Sequence, residues 1–379
     1  MSFVRQPFGR LVLVCVLLII WAAVAPQTAA APQSSQPSIT LIPADPLEWE
    51  SPADSNSPAV WQQDGASREL MLFTSVAGQP TRHVGISIAH LRERQDVTFD
   101  PAPREGAWME AVLQDEGGTL YGYYHNEITT EACEGSGKTL PRIGAARSRD
   151  GGLSWEDLGA ILAAPPDAYD CGTANYYFVG GLGDFTVLLN DEHTEAYIYY
   201  SSYVRDAEHQ GVAVARLPWA DRDDPVGKVD VWRDGAWLPP SQTIDEETGE
   251  ARWIYPEPTP IYPAAQSYHA SETVDAFWGP SIHWNTYLER WVMLLNHAQD
   301  SQFGQEGIYI AFAPTIDDPT AWSVPQRILA GGRWYPQVIG HEVGTGTDKV
   351  AGETARFFMG GQSVYEIHFS LPDVADGRR

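Results

Sequence analysis

Positive charge is scarce in this chain: 24 Lys and Arg stand against 50 Asp and Glu, a formal net charge of -26 over 379 residues. Nucleic acid and anionic membrane surfaces would be repelled, which excludes both as partners of the mature chain. The acidity reads as the solvated surface of an extracellular protein. Cysteine is scarcer still, with three. Cys15 lies inside the N-terminal apolar run, which leaves Cys133 and Cys171 to pair in an oxidising compartment. Neither has neighbouring ligands for a metal site or a catalytic thiol. Long apolar runs are missing except over residues 11–25, 15 residues where a membrane span needs about 20. Arg5 and Arg10 precede that run and Thr28-Ala29-Ala30 follows it, the pattern of a secretory leader over residues 1–30. The expected product is secreted or periplasmic, with no membrane attachment once the leader is cleaved. Amphipathic helical patterns are hard to find. No G-x-S-x-G elbow, phosphate-cradling loop or H-E-x-x-H appears, so nucleophilic-serine, phosphate-binding and zinc-protease chemistry are set aside.

What is present is aromatic and turn-rich: 14 Trp, 17 Tyr and 12 Phe with 34 Gly and 28 Pro. After the leader one pattern recurs five times: a short apolar run, a turn, an aromatic-rich run, then a Gly-led strand. Such a unit is one blade of a β-propeller, and five of them predict an all-β, five-bladed β-propeller. The blades are expected over 54–95, 105–162, 175–220, 275–330 and 334–370, within a single domain over 41–371. An insertion over 221–274 reads as a hairpin followed by an extended Pro-rich segment. Residues 31–40 read as a disordered spacer and 372–379 as a frayed tail, and a strand near Leu41 and Ile42 is a candidate to complete the last blade. In Tyr197-Ile198-Tyr199-Tyr200 both faces are apolar or aromatic, as expected where blades pack face to face.

Ser148-Arg149-Asp150-Gly151-Gly152-Leu153-Ser154-Trp155 matches the Asp-box pattern S-x-D-x-G-x-[ST]-W, a hairpin turn that marks the fold rather than a site. The informative polar residues stand at strand entries: Asp54 before blade one, Glu110 at the start of blade two, and Asp184 in Gly183-Asp184-Phe185 at the start of blade three. Acids at equivalent places in successive blades project towards the axis, where each raises the pKa of the others and one can act as acid while another acts as base. The competing reading is that each caps a turn or binds a structural cation such as calcium; no cofactor is otherwise called for.

The layout resembles the five-bladed propeller glycoside hydrolases of the arabinanase, arabinofuranosidase and β-xylosidase group. Gly183-Asp184-Phe185-Thr186-Val187 is similar to that group's third-blade motif, whose Asp tunes the catalytic acid. Asp54 matches the general base, with Asp-Ser-Asn-Ser-Pro in place of Asp-Pro. Trp278-Gly279-Pro280 is similar to the group's Glu-Gly-Pro, with Trp278 where the acidic Glu stands. The resemblance therefore implies a carbohydrate ligand with Asp54 as base and Asp184 as pKa tuner, while the acid must be sought elsewhere. Glu110 is the first candidate, with Glu127 and Asp275 in reserve. His125 is expected near the site, His283 to face the cavity, and Trp108, Trp278 and Tyr335 to offer stacking platforms, with Trp284 in the core. Two functions stay open on this sequence: a glycosidase acting through axial carboxylates, and a non-catalytic carbohydrate-binding or scaffold propeller.

Overall fold

The computed structural model describes residues 1, 36–49, 52–64, 67–130, 133, 135–244, 249, 251–269 and 272–372. The stretch read as a leader, beyond Met1, residues 31–35 of the stretch read as a spacer, and the tail from 373 lie outside the described residues. The chain is a five-bladed β-propeller. Among the described residues no helix is long and apolar enough to cross a membrane.

Blade one is Ala59–Asp64, Ser67–Val76, Gln79–Gly85 and Leu91–Asp96, paired in that order. Blade two runs Trp108–Gln114, Leu120–Thr129, Thr139–Ser148 and Ser154–Leu162, with Thr98–Asp100 added in parallel to its outer strand. Blade three begins Leu182–Leu189, Glu195–Ser202 and Gly211–Pro218. Its outer strands, Asp230–Arg233 and Ala236–Leu238, come from the stretch read as an insertion. That stretch is thus partly blade, followed by a second hairpin of Ser241–Ile244 with Ala251–Ile254. Blade four is Thr273–Asn285, Arg290–Asp300, Gln305–Ala313 and Gln326–Ala330. Blade five is Pro336–Gly340, Thr354–Met359 and Gln362–Ser370, and the N-terminal strand Ser38–Glu48 pairs antiparallel with its last strand. That pairing joins the two ends of the ring in one sheet and covers an edge that would otherwise be exposed. It also begins at Ser38, inside the stretch read as spacer: Ser38, Thr40 and their neighbours are held by the ladder rather than left free.

Apolar side chains on both faces of each sheet drive this packing. Leu182–Leu189 is buried along almost its whole length, and Tyr197, Tyr199 and Tyr200 are buried with it. Separate clusters fill the five seams: Met71 and Phe73 against Met109 and Trp155, Tyr123 against Phe185, Tyr199 against Met293, Leu294 against Phe357, and Leu72 against Phe358. A sixth cluster, around Trp278, Phe303 and Tyr335, belongs to no seam and sits at the strand entries. The innermost strands of the blades meet around the axis, so those entries converge.

Candidate functional site

The inner strands start irregularly, and the irregularity sets what reaches the axis. In blade two Met109 opposes Tyr124 and Ala111 opposes Tyr123, so Glu110 is the extra residue of a bulge. In blade three Gly183 opposes Ser201 and Phe185 opposes Tyr200, leaving Asp184 as the extra residue, at φ 42°. Blade four shifts register between Trp278 and Ser281, and blade five enters through Tyr335 at φ 56°. Bulges of this kind redirect a side chain out of the alternation of the strand. Gly183 is required beside Asp184, since a Cβ there would lie 2.4 Å from the His125 ring.

Blade one supplies a plug. Asp54 pairs through its amide with the Ser75 carbonyl at 2.8 Å, and the chain then crosses the axis. The Asn56 amide donates to Glu110 Oε2 at 3.0 Å, and its side chain donates to the carbonyls of Phe185 at 3.0 Å and Pro280 at 3.2 Å. Ser57 and Gln337 exchange two further bonds, of 2.6 and 2.9 Å. Five blades are thereby joined through two residues.

On the entry side of the plug lies a cavity of about 180 Å³. Three carboxylates reach it, those of Asp54, Glu127 and Asp184, and its walls are aromatic: Trp108 from blade two, Tyr177 and Phe178 from the loop between blades two and three, Trp278 and Phe303 from blade four, and Trp334 and Tyr335 at the entry to blade five. Trp278 meets Phe303, Trp334 and Tyr335 edge-on at 5.1, 5.7 and 5.7 Å. The Tyr177–Phe178 loop is tied down by the Asn175 side chain, which accepts both of their amides at 2.8 Å, and by the Cys133–Cys171 disulfide, Cα–Cα 5.2 Å. A groove of about 570 Å³ walled by Leu140, Trp253 and Tyr255 lies elsewhere, and no acid lines it among the described residues.

The three acids are held differently. Burial raises the Asp54 pKa to about 6; the bond from Trp108 Nε1 at 3.2 Å opposes this, and the charges of Asp184 and Glu127 add to it. Burial works in the same direction on Glu127, but His125 and the Thr139 hydroxyl, 2.9 Å away, outweigh it and hold Glu127 below the ordinary value. Asp184 is buried and accepts the hydroxyls of Tyr203 at 2.5 Å and Tyr335 at 2.9 Å. Burial, and after it the Asp184 charge, push both tyrosines far above their usual pKa, so they remain donors.

Glu110 does not line the cavity. It is fully buried behind Asp184 and His125, the three offering ligand atoms within 4.8 Å of one another, and its Oε1 has no hydrogen-bond partner. Burial first and Asp184 second raise its pKa well above the ordinary value. His125 is buried beside it. Burial opposes its charging, yet Glu127, Asp184 and Glu110 together would pull it up to about 9. Its Nδ1, however, accepts the Asp184 amide at 3.0 Å, a bond that a proton on Nδ1 would break. The ring proton that faces Glu127 is therefore the one on Nε2, 3.4 Å from Glu127 Oε1. His125 therefore acts from behind on two cavity carboxylates.

The remaining expected residues are dispersed. His283 is buried further along the axis, where burial and then Lys349 depress it to about 3, and it does not line the cavity. Asp275 sits half exposed against His297 at 3.0 Å, and Trp284 packs in a seam. Sequence reasoning did not single out Tyr177, Phe178, Tyr203, Phe303, Trp334 or Asn56. Five of them come from loops or strand ends whose convergence depends on closing the ring. Asn56 alone left a trace, in the interrupted Asp-Ser-Asn-Ser-Pro.

No family model matches the chain, and no curated protein matches it in sequence. Among solved structures it is similar to a thermostable family-43 glycoside hydrolase, at 12% identity over 86% of this chain and 93% of that one, TM-score 0.46. It is similar to the endo-arabinase from Bacteroides thetaiotaomicron, at 10% identity over 88% and 99%, TM-score 0.45. The catalytic domain of the Coprinopsis cinerea GH62 alpha-L-arabinofuranosidase is a further similar structure, at 10% identity over 91% and 100%, TM-score 0.43. The likeness lies in the architecture.

Proposed function

We propose that this propeller is a glycoside hydrolase that holds one sugar ring in the aromatic cavity and cleaves its glycosidic bond with Asp54 and Glu127. The observation that carries the reading is that two carboxylates on one cavity have their pKa values driven apart, Asp54 up to about 6 and Glu127 down. Such a pair assigns an acid and a base. Asp54 protonates the leaving oxygen; Glu127 takes a proton from water, whose oxygen bonds to the anomeric carbon as the glycosidic C–O bond breaks. This differs from the roles the resemblance implies: Asp54 becomes the acid, Glu127 the base, and Asp184 keeps its tuning role with Asp54 as its object. Glu110, sealed behind His125, has no path to a bound sugar. The aromatic walls suit the C–H face of a ring. The Cys133–Cys171 disulfide is in keeping with action outside the cytoplasm.

A second reading, a propeller that binds sugar without cleaving it, is favoured by Trp278, which fills the place where the resemblance implies an acidic Glu. Turnover on arabinan, xylan and a panel of aryl glycosides tests the choice. Hydrolysis abolished by both Asp54→Asn and Glu127→Gln is the expected result. Sugar binding with no turnover in the unaltered protein would favour the second reading.

A further inference from the structure

We infer that the sugar this cavity takes carries a protonated amine, as in a 2-amino-2-deoxy hexoside at the free end of a chain. The inference rests on the glycoside reading above and narrows its substrate. Among the described residues the lining contributes three carboxylates and no Lys, Arg, His, Asn or Gln side chain. Its polar character is therefore that of an acceptor. Three of its five side-chain donors are committed within the protein: Trp108 Nε1 to Asp54 at 3.2 Å, Trp334 Nε1 to the Phe303 carbonyl at 2.8 Å, and the Tyr335 hydroxyl to Asp184 at 2.9 Å. Trp278 Nε1, in a side chain 2% exposed, has no partner.

A ligand matched to such a surface is rich in donors and poor in acceptors, and a positive charge is worth most where aromatic faces and carboxylates surround it. An ammonium group supplies three donors and the charge. A uronic or sialic acid would bring a fourth carboxylate to a site with no cation. An N-acetyl group would replace the charged amine by a neutral amide. The size agrees with a single ring, since about 180 Å³ falls below the roughly 300–1,000 Å³ of pockets for larger ligands.

Isothermal titration calorimetry at about pH 7 and about 0.15 M salt tests this with methyl glycosides of glucose and galactose, their 2-amino-2-deoxy forms and the N-acetylated forms. The expected result is that an amino form binds at least about tenfold more tightly than its neutral parent and than its N-acetyl form. Asp54→Asn should reduce that preference, and Asp206→Asn, which neutralises an exposed acid paired with Arg205, should leave it unchanged. Neutral glycosides binding as tightly as the amino forms would overturn the inference and leave the glycoside reading standing. A preference reduced equally by both variants would mark bulk charge and overturn it too. Binding of none of them, with no turnover on the polysaccharide panel, would overturn both.

Discussion

Two levels of one axis are built on opposite rules. Beyond the plug Lys349 Nζ lies 3.0 Å from Asp348 Oδ2 and donates to Thr186 at 2.6 Å, while Asp348 Oδ1 accepts the Ala59 amide at 2.8 Å. His283 is neutral there, depressed to about 3. On the entry side three carboxylates face one small cavity, and the lining offers them no Lys or Arg. The inner strands that supply both levels are the same. What differs is the bulge at each entry, which turns Asp184 out of the alternation and leaves Glu110 buried behind it. One level fixes the ring; the other gathers three carboxylates around one cavity and shifts two of them in opposite directions, and perturbed pKa values of this kind cluster at functional sites.

Substitutions can break this comparison in order of effect. At the entry level Asp54→Asn and Glu127→Gln should each lower turnover about hundredfold or more while leaving the fold intact; far-ultraviolet circular dichroism and the screen above check both halves. At the paired level the effect should be on stability alone. Asp348→Ala strands the Lys349 ammonium and the Ala59 amide, a loss of about 3 kcal/mol visible as a lower denaturant midpoint. An equal loss of stability in Asp54→Asn would erase the distinction.

Stability against pH sharpens the contrast. The folded Asp54 pKa, about 6, stands above its ordinary value of 3.8. Its contribution is thus fully present below about pH 3.8 and is lost as pH rises through about 6. By linkage the folded protein gives up about 3 kcal/mol across that window. Asp54→Asn should remove this part of the slope and be the more stable protein at pH 8, in thermal melts from pH 4 to 8. The smallest effect is expected from Trp278→Phe, which keeps an aromatic wall and removes an indole N–H that has no partner. Stability should stay within about 1 kcal/mol of the unaltered protein, and affinity for sugar should weaken by less than about tenfold.

The seams were legible in the sequence because their signal is local. Runs such as Tyr197-Ile198-Tyr199-Tyr200 are apolar on both faces, and only a sheet covered on both sides explains that. Asp54 and Asp184 were legible as acids at strand entries. Glu110 was read as their equivalent because strand alternation does not reveal where a bulge seals a side chain inside. Glu127 stood in reserve for the same reason: its role depends on His125 and Thr139, which reach it from its own strand and the next. Phe303 and Trp334 gave no signal at all, since what brings them to Trp278 is the closure of the ring.

The split between two carboxylates of one cavity is read without a substrate by a carboxyl carbon NMR titration of selectively labelled protein. Asp54 should titrate near 6 and Glu127 below the ordinary glutamate value, with Asp184→Asn lowering the Asp54 midpoint. Midpoints for both at their ordinary values, unmoved by Asp184→Asn, would contradict it.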